Sequence, residues 1–519
     1  MMPSQSVAQI EEQQGNRPQT ENRQSIENHA FTTIYCLALA TAISTWFLAI
    51  RAPLWLDETY SYWQISKGFW GIWEGRFVTL CFPAYSYILW FSTKIIGSSE
   101  MALRAPSILA TLGAAYLLYL AARELFDKDV AIIAAIVFCL HPIVIFAAID
   151  VRPYAFAVLA TNAAIFIVLR LRHNDSNWLA ALFGLSAACI VWFHYLFATI
   201  LPALVVCFFV VKAGKRKIFW RQFGVSLAAF TLAILPVIPC LRYVFHTRGD
   251  YVFEVAPSLI DLIWTFTPGL GWDIAGLAVL VAVAWALFHR QIHFQGWQIL
   301  FCASLALISV LILFGVSVGT TTHCFTPRHR MDAVPGIALC WAMLYGAIRP
   351  RALRLLLCVG LVTVMAFHIY STPYLRHHGY TWKYALEAAE KNSAKDNTPV
   401  LICSPFVETN VESNFITVPL ESPKESLYYS FLSYYRLSSP VVPLPMALNN
   451  DAIRIGSQFL QEATKKHERF LAIAEDRSYE TLDWLSQRAA GTYSVRNLGV
   501  YDRVEVLEFV PRSTLSPTP

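Results

Sequence analysis

The sequence predicts a polytopic α-helical membrane domain followed by a C-terminal α/β domain, and three observations carry that prediction. Apolar runs long enough to cross a bilayer, which needs about 20 residues, recur along the first 371 positions. Charged residues make up only 14% of the chain, against about 25% in soluble domains, and the mean hydropathy is +0.47. Beyond residue 372 the long runs stop, and short strand-like and helix-like segments replace them. The net charge of +5 over 519 residues gives no reason to expect nucleic acid.

Taken in order, residues 1–28 are polar, rich in Gln, Asn, Ser and Glu, with Arg17 and Arg23 as their basic residues. Such a segment cannot bury enough apolar surface to fold, so it reads as a disordered cytoplasmic tail. It lacks the basic start of a secretory signal. Spanning runs follow near 31–50, 105–123, 130–148, 154–171, 178–193, 195–212, 223–243, 273–289, 297–319, 331–348 and 354–371. They define a membrane domain over 29–375. A further run near 79–97 contains Pro83, Tyr85, Tyr87 and Lys94 and ends at Gly97-Ser98-Ser99. The cysteines have no metal spacing and no CxxC; Cys36, Cys139, Cys207 and Cys340 lie within apolar runs, where Cys packs as a small hydrophobe.

Basic short loops face the cytoplasm. Those at Arg170–Arg172, Lys212–Arg221, His289-Arg290 and Arg349–Arg354 alternate consistently and put the loops near 149–153, 244–272 and 320–330 outside. The first loop, 51–104, then lies outside only if 79–97 does not cross. The expectation is about eleven spans with juxtamembrane helices, the N-terminus inside and the C-terminus outside.

The 376–519 region reads as an extracytoplasmic α/β domain. Residues 399–403, 470–474 and 504–510 resemble strands, a short strand includes Tyr493 and Val495, and 478–490 has helical periodicity with Leu482, Trp484 and Leu485.

Ionisable residues gather in the outer loops. Asp57 and Glu58 follow the first span among Trp55, Tyr60 and Tyr62; acids at a membrane boundary are costly unless solvated or paired. Arg76 and Arg104 belong to the same loop. Asp150 and Arg152 form the second outer loop, His194 and Tyr195 lie at a turn between spans, and His246, Arg248, Asp250, Glu254 and Asp261 follow. His323, Arg328, His329 and Arg330 close the set. A carboxylate that accepts a proton from an acceptor, with cations that stabilise a phosphate leaving group, is one chemistry this mixture suits. Cations meeting lipid head groups are the blander reading.

These residues resemble a family. The first span followed by Leu56-Asp57-Glu58-Thr59-Tyr60 looks like the glycosyltransferase C superfamily, near the protein O-mannosyltransferases and the aminoarabinose transferase of lipid A. Met101–Ser107 resembles its Arg-x-Pro-Ser entry into the second span, and Asp150–Tyr154 its second outer loop. Trp192–Tyr195 and Pro327–Arg330 followed by Pro335 are similar to later features. The likeness covers about 30–371. One departure is the stretch Thr79–Tyr85, with a single Pro and no Lys or His where many relatives have Lys-Pro-Pro or His-Pro-Pro.

The resemblance implies transfer of a hexose or pentose from a polyprenyl-phosphate-linked donor to a glycan, lipid or protein acceptor at the outer face of the plasma or inner membrane. Asp57 is expected as general base and Glu58 as its orienting partner or a binder of acceptor hydroxyls. Arg104, Arg152 and Arg328, with His194, Tyr195, His329 and Arg330, are candidates for the donor phosphate and sugar, and Asp150 for the sugar. A single displacement would invert the anomeric centre. Relatives differ in metal use, which leaves a divalent metal open. The rival readings are a transporter or lipid flippase, which would place charges at the bilayer midplane, and a non-catalytic membrane scaffold.

The charge parity yields a direct test. In a background without reactive cysteines, an impermeant thiol reagent applied from outside should label a Cys at Ser99 and not one at Lys215. Labelling at position 99 only from inside would mean that 79–97 crosses the membrane.

Overall fold

The computed structural model describes residues 29–74, 83–213, 216–246, 256–267, 272–288, 294–348, 350–372, 382–404, 430–475 and 479–514. The N-terminal tail 1–28, Arg76, Arg248, Asp250, Glu254 and the His289-Arg290 loop lie outside them. The architecture is a helical membrane half with a C-terminal sheet.

Among the described residues, six helices are long and apolar enough to cross a membrane: His29–Ala49 (α1), Glu100–Leu125 (α5), Tyr154–His173 (α8), Ile218–His246, Gly296–Gly319 and Arg351–Ser371. The run at 130–148 is not one straight helix. It forms Lys128–Leu140 (α6) and Pro142–Ile149 (α7), bent by 66°. Pro142 has no N–H to continue the ladder and clashes with the preceding turn, and His141 restarts the helix by accepting from Ile143 N–H through Nδ1 at 3.3 Å. Shorter apolar helices, Asn177–Phe193 (α9), Tyr195–Val211, Ala278–Leu287 and Val334–Gly346, carry the remaining runs.

Between α1 and α5 lie Leu56–Ser66 (α2), Gly68–Glu74 (α3) and Pro83–Ile96 (α4). The 14 residues of α4 rise only about 21 Å, short of the ~30 Å hydrocarbon core. Ser99 then caps α5 by accepting from Ala102 N–H at 3.3 Å.

Small residues let these helices approach closely. Ala110, Ala114, Ala121 and Ala122 of α5 are buried in one core with Ala131 and Ala134 of α6 and Ala157, Ala160 and Ala164 of α8. Asn162 donates across it to Ala114 O at 2.8 Å. At Gly336 an added Cβ would lie 2.4 Å from the backbone of Leu305 and Ala306, so the close approach of Val334–Gly346 to Gly296–Gly319 requires glycine.

Charge is segregated. The end of the bundle that holds the basic loops pairs Arg351 with Asp129 (2.6 Å), Arg354 with Asp127 (3.4 Å), Lys212 with Asp175 (2.8 Å) and Arg170 with Glu124 (2.9 Å). The acids and cations of the first, second and last outer loops meet elsewhere, around the start of α2.

The C-terminal part holds a five-stranded sheet of order β2-β1-β3-β5-β4, formed by Val400–Cys403 (β1), Val441–Leu444 (β2), Phe470–Glu475 (β3), Tyr493–Tyr501 (β4) and Val504–Pro511 (β5). The first three strands are parallel, and β5 runs antiparallel to both β3 and β4. The expected strands at 399–403, 470–474 and 504–510 and the helix at 478–490 are present, the last as Tyr479–Ala489; β2 is an addition. This unit packs on the end that carries α2. Leu54, Leu56, Tyr85, Leu89 and Leu103 share a core with Trp382, Phe431, Leu471 and Val506. The Tyr435 hydroxyl accepts from Leu54 N–H at 2.6 Å, and Tyr434 donates to Ser98 O at 3.0 Å.

One buried ion pair joins these elements. Glu58 and Arg104 are both 0% exposed. Arg104 Nε donates to Glu58 Oε1 at 2.9 Å and Nη2 to Oε2 at 2.6 Å. The remaining Arg104 N–H groups cap the end of α1 and the link after it, at the carbonyls of Ala49, Ile50, Ala52 and Pro53, 2.6–3.2 Å away. Glu58 accepts also from Val151 N–H at 3.0 Å and Trp55 N–H at 3.2 Å. Burial raises the Glu58 carboxyl above its ordinary range, and the Arg104 guanidinium and the two backbone donors oppose that rise.

Removing one partner of a buried pair leaves an uncompensated charge and costs about 3–5 kcal/mol. Glu58→Ala should therefore lower the melting temperature and yield of the detergent-purified protein sharply. Wild-type thermal stability in that variant would show that the pair does not hold the fold.

Candidate active site

Asp57 opens α2. The first turn of α2 presents its helix dipole's positive end to Asp57 and Glu58, which favours carboxylates there. The segment is helical rather than extended, so adjacent side chains diverge by about 100° instead of alternating faces. Glu58 turns into the protein, to Arg104. Asp57 stays at the surface, its side chain 21% exposed, with Oδ2 3.3 Å from Nη1 of Arg328, which is 37% exposed.

The expectations for Glu58 and Arg104 need correction. Glu58 cannot meet acceptor hydroxyls, because it is fully enclosed and both oxygens already accept two N–H donors each. Arg104 cannot serve a donor phosphate, because its donors are spent on Glu58 and four backbone carbonyls. Both are architectural.

Asp150 lies beside this clamp, buried at the C-terminal end of α7. Its Oδ1 accepts from the Trp55 indole N–H at 3.0 Å, and its backbone carbonyl accepts from the Ser107 hydroxyl at 2.7 Å. Oδ2 is buried with no hydrogen-bond partner among the described residues. Burial, followed by the neighbouring Glu58 charge, raises its carboxyl well above the usual range. The Trp55 hydrogen bond and the Arg152 charge oppose that rise. Arg152, two residues on, sits 5.7 Å over the Tyr60 ring and within 3.5 Å of the Asp57 carbonyl.

His194 is enclosed by rings: Tyr154 at 5.1 Å, Phe197 at 4.9 Å, Tyr195 stacked at 5.7 Å and His329 at 5.6 Å. Its Nδ1 is buried without a partner among the described residues. Burial, then the charges on His329, Arg152 and Arg328, hold the imidazole well below its ordinary range. His329 is pushed down to about 3 by burial, and its Nδ1 lies 3.0 Å from Cys324 O. Both imidazoles are thus neutral at pH 7, able to donate and accept but not to add charge.

The last loop divides its cations. Arg328 faces Asp57, whereas Arg330 turns away: Nη1 donates to Asp261 O at 3.1 Å and to the Thr265 hydroxyl, and the guanidinium lies 4.4 Å over Phe325. Burial lowers it to about 10. Arg330 therefore ties its loop to Leu259–Trp264, the helix that Asp261 helps to cap, and does not join the candidate for donor binding.

The structure thus brings Asp57, Asp150, Arg152, His194, Tyr195, Arg328 and His329 to one end of the bundle, and sets Glu58, Arg104 and Arg330 as supports. Sequence reasoning missed the Trp55–Asp150 bond and the Ser107 anchor. Trp55 was visible as an aromatic beside the acids, and Ser107 stands in the Arg-x-Pro-Ser segment, but nothing in either signal names a partner about 95 or 43 positions away. No group of three or more His, Cys, Asp or Glu side chains suited to a metal ion occurs among the described residues.

Comparison with known proteins adds two findings. Residues 82–243 match the family model for dolichyl-phosphate-mannose-protein mannosyltransferase, a stretch that includes Arg104, Asp150, Arg152 and His194. The fold is similar to ArnT from Cupriavidus metallidurans bound to undecaprenyl phosphate, with TM-score 0.53 and 12% identity over 93% of this chain and 99% of that chain. The same protein in the apo state gives TM-score 0.53 and 13% identity over 92% and 98%. No curated protein matches the chain significantly. At such identity the shared structure speaks for the fold, and the family model speaks for the sequence between α4 and the helix Ile218–His246. The chain thus has a multi-pass helical membrane fold similar to that of ArnT, and residues 82–243 carry a sequence match to the dolichyl-phosphate-mannose-protein mannosyltransferase model.

Proposed function

We propose that the protein moves a sugar from a polyprenyl-phosphate-linked donor to an acceptor hydroxyl at the extracytoplasmic face, with Asp57 as general base. The observation that carries the reading is the Asp57–Arg328 pair: a partly exposed carboxylate and a partly exposed guanidinium 3.3 Å apart, at the end of the bundle opposite the basic loops. ArnT from Cupriavidus metallidurans, similar in fold, binds undecaprenyl phosphate, which supports a donor of that chemical class.

The step follows from the residue types. Asp57 accepts the proton of the acceptor hydroxyl as its oxygen bonds to the anomeric carbon. The bond from that carbon to the donor phosphate breaks, and the phosphate leaves with the electron pair. Arg328 and Arg152 stabilise the departing anion, since guanidinium matches phosphate geometry and charge. Donor binding would draw Arg328 from Asp57 to the phosphate, which frees the base at the moment it is needed. Neutral His194 and His329 offer hydrogen bonds to sugar hydroxyls without competing for the anion, whereas Asp150, as fully enclosed as Glu58, holds the Trp55 indole beside the base rather than the sugar. A single displacement of this kind inverts the anomeric centre. The C-terminal unit packs on α2 and would share the extracytoplasmic side.

Asp57→Asn keeps shape and hydrogen bonding but cannot take the proton. General-base catalysis contributes about 10²–10⁴-fold, so the variant should fold, bind polyprenyl phosphate and lose turnover by that order. Near-normal transfer by purified Asp57→Asn would sink the mechanism.

Arg328→Ala should weaken donor use by about tenfold to a hundredfold, from the loss of a charge-assisted hydrogen bond of about 1.5–3 kcal/mol, with Lys only partly restoring it. Unchanged donor kinetics would return Arg328 to contact with lipid head groups.

A further inference from the structure

An acid stands inside the apolar run 331–348, where an ionisable side chain is costly unless it serves a defined partner or function. Asp332 is 1% exposed. Its Oδ2 accepts from the Ser309 hydroxyl at 2.5 Å and the Thr199 hydroxyl at 3.1 Å, and those hydroxyls lie 2.9 Å from each other. Three elements converge there: the 3-10 turn Pro327–Ala333, the 3-10 turn Tyr195–Ile200 and the helix Gly296–Gly319.

The two turns matter to the site. Pro327–Ala333 carries Arg328 and His329, and Tyr195–Ile200 begins directly after His194. Residues three apart eclipse in a 3-10 helix, so Asp332 falls on the same side of its turn as His329. The His194–His329 ring contact at 5.6 Å and the Thr199–Asp332 bond therefore cross-link the same two turns at successive levels. Arg330 fixes the Pro327–Ala333 turn from a different direction, through Asp261 and Thr265.

We infer that Asp332 is a positioning residue: it holds the Pro327–Ala333 turn in register with the Tyr195–Ile200 turn, so that Arg328 meets Asp57 and His329 meets His194. A ring contact alone tolerates sliding and rotation. A carboxyl oxygen shared by two hydroxyls from different elements is directional, and if the turns slip apart that buried oxygen is left unsatisfied at a cost of about 1–3 kcal/mol, although Thr199 keeps its own bond to Leu196 O at 2.9 Å. The inference rests on the reading of Arg328 as the group that binds the donor phosphate.

The test uses the purified full chain, undecaprenyl phosphate as probe, and donor kinetics. Asp332→Leu should weaken probe affinity about tenfold and raise the donor KM in step, with kcat changed less. Asp332→Asn, which keeps an acceptor oxygen for both hydroxyls, should recover most of the affinity. The double variant Asp332→Leu/Arg328→Ala should bind no worse than Arg328→Ala alone, because there is no longer an Arg328 to position. Wild-type affinity in Asp332→Leu, equal defects in the Leu and Asn variants, or additive losses in the double variant would each overturn the inference. If Asp332→Leu fails to fold, Thr199→Val and Ser309→Ala each remove one bond and are read against the same three criteria. A wild-type protein that does not bind the probe would remove the donor reading and the inference together, whereas a binding wild type with unaffected Asp332 variants removes the inference alone.

Discussion

The site depends on an ion pair that takes no part in its chemistry. Arg104 leaves α5 to reach two oxygens of Glu58 and four carbonyls at the end of α1 and in the link after it, and Glu58 reaches on to the amide of Val151. The end of the first span, the start of α2, the first turns of α5 and the second outer loop are thereby fixed to one another by a single cluster of charge-assisted bonds. An isolated pair of buried charges is poor evidence for stability, since desolvation can exceed their attraction. Here the guanidinium also satisfies carbonyls that the end of a helix would leave without donors, and a hydrophobic replacement would leave them so. The geometry of Asp57 follows from this cluster because Asp57 is the next residue along the chain.

Two adjacent carboxylates thus acquire different fates from a turn of about 100°. One is saturated and enclosed; the other retains an exposed edge and a cation that can leave. A third, Asp150, is denied water, and burial raises its carboxyl well above the usual range. Three acids that share neighbours thus sit in three environments: one paired and enclosed, one partly exposed beside a cation, one enclosed against an indole N–H.

Much of this was legible in the sequence. Apolar runs marked the helices because membrane burial demands long uninterrupted stretches, and the basic loops marked one end of the bundle because charge segregates by side. Asp57, Asp150 and Arg328 stood out as ionisable groups at outer ends of spans. What a linear reading cannot supply is direction. Whether Arg104 points to a ligand or to a helix end, and whether Arg330 faces the site or the helix Leu259–Trp264, depends on side-chain orientation set by contacts 46 to 69 residues away. The bend at His141 was hidden because Pro142 lies in an otherwise continuous apolar run. Strand β2 was missed because it is four residues long and contains Pro443, which suits an edge strand and weakens any strand pattern. Asp332 is a plainer omission: an acid within an apolar run is a signal in itself.

The seat of α2 has a temporal side. Leu54 is bonded to Tyr435 across 381 residues of chain, and at about 5–20 residues per second a ribosome needs roughly 20–75 s to make the second after the first. The clamp through Arg104 and Val151 can close early, while the aromatic wall around Trp382, Phe431 and Tyr435 arrives last. Until then α2 is held on its membrane side and bare on the other. The helix that bears Asp57 is therefore covered only after Tyr435 has been made, and a chain released before that residue would carry all the spans described here yet leave Leu54 and Leu56 without that apolar cover.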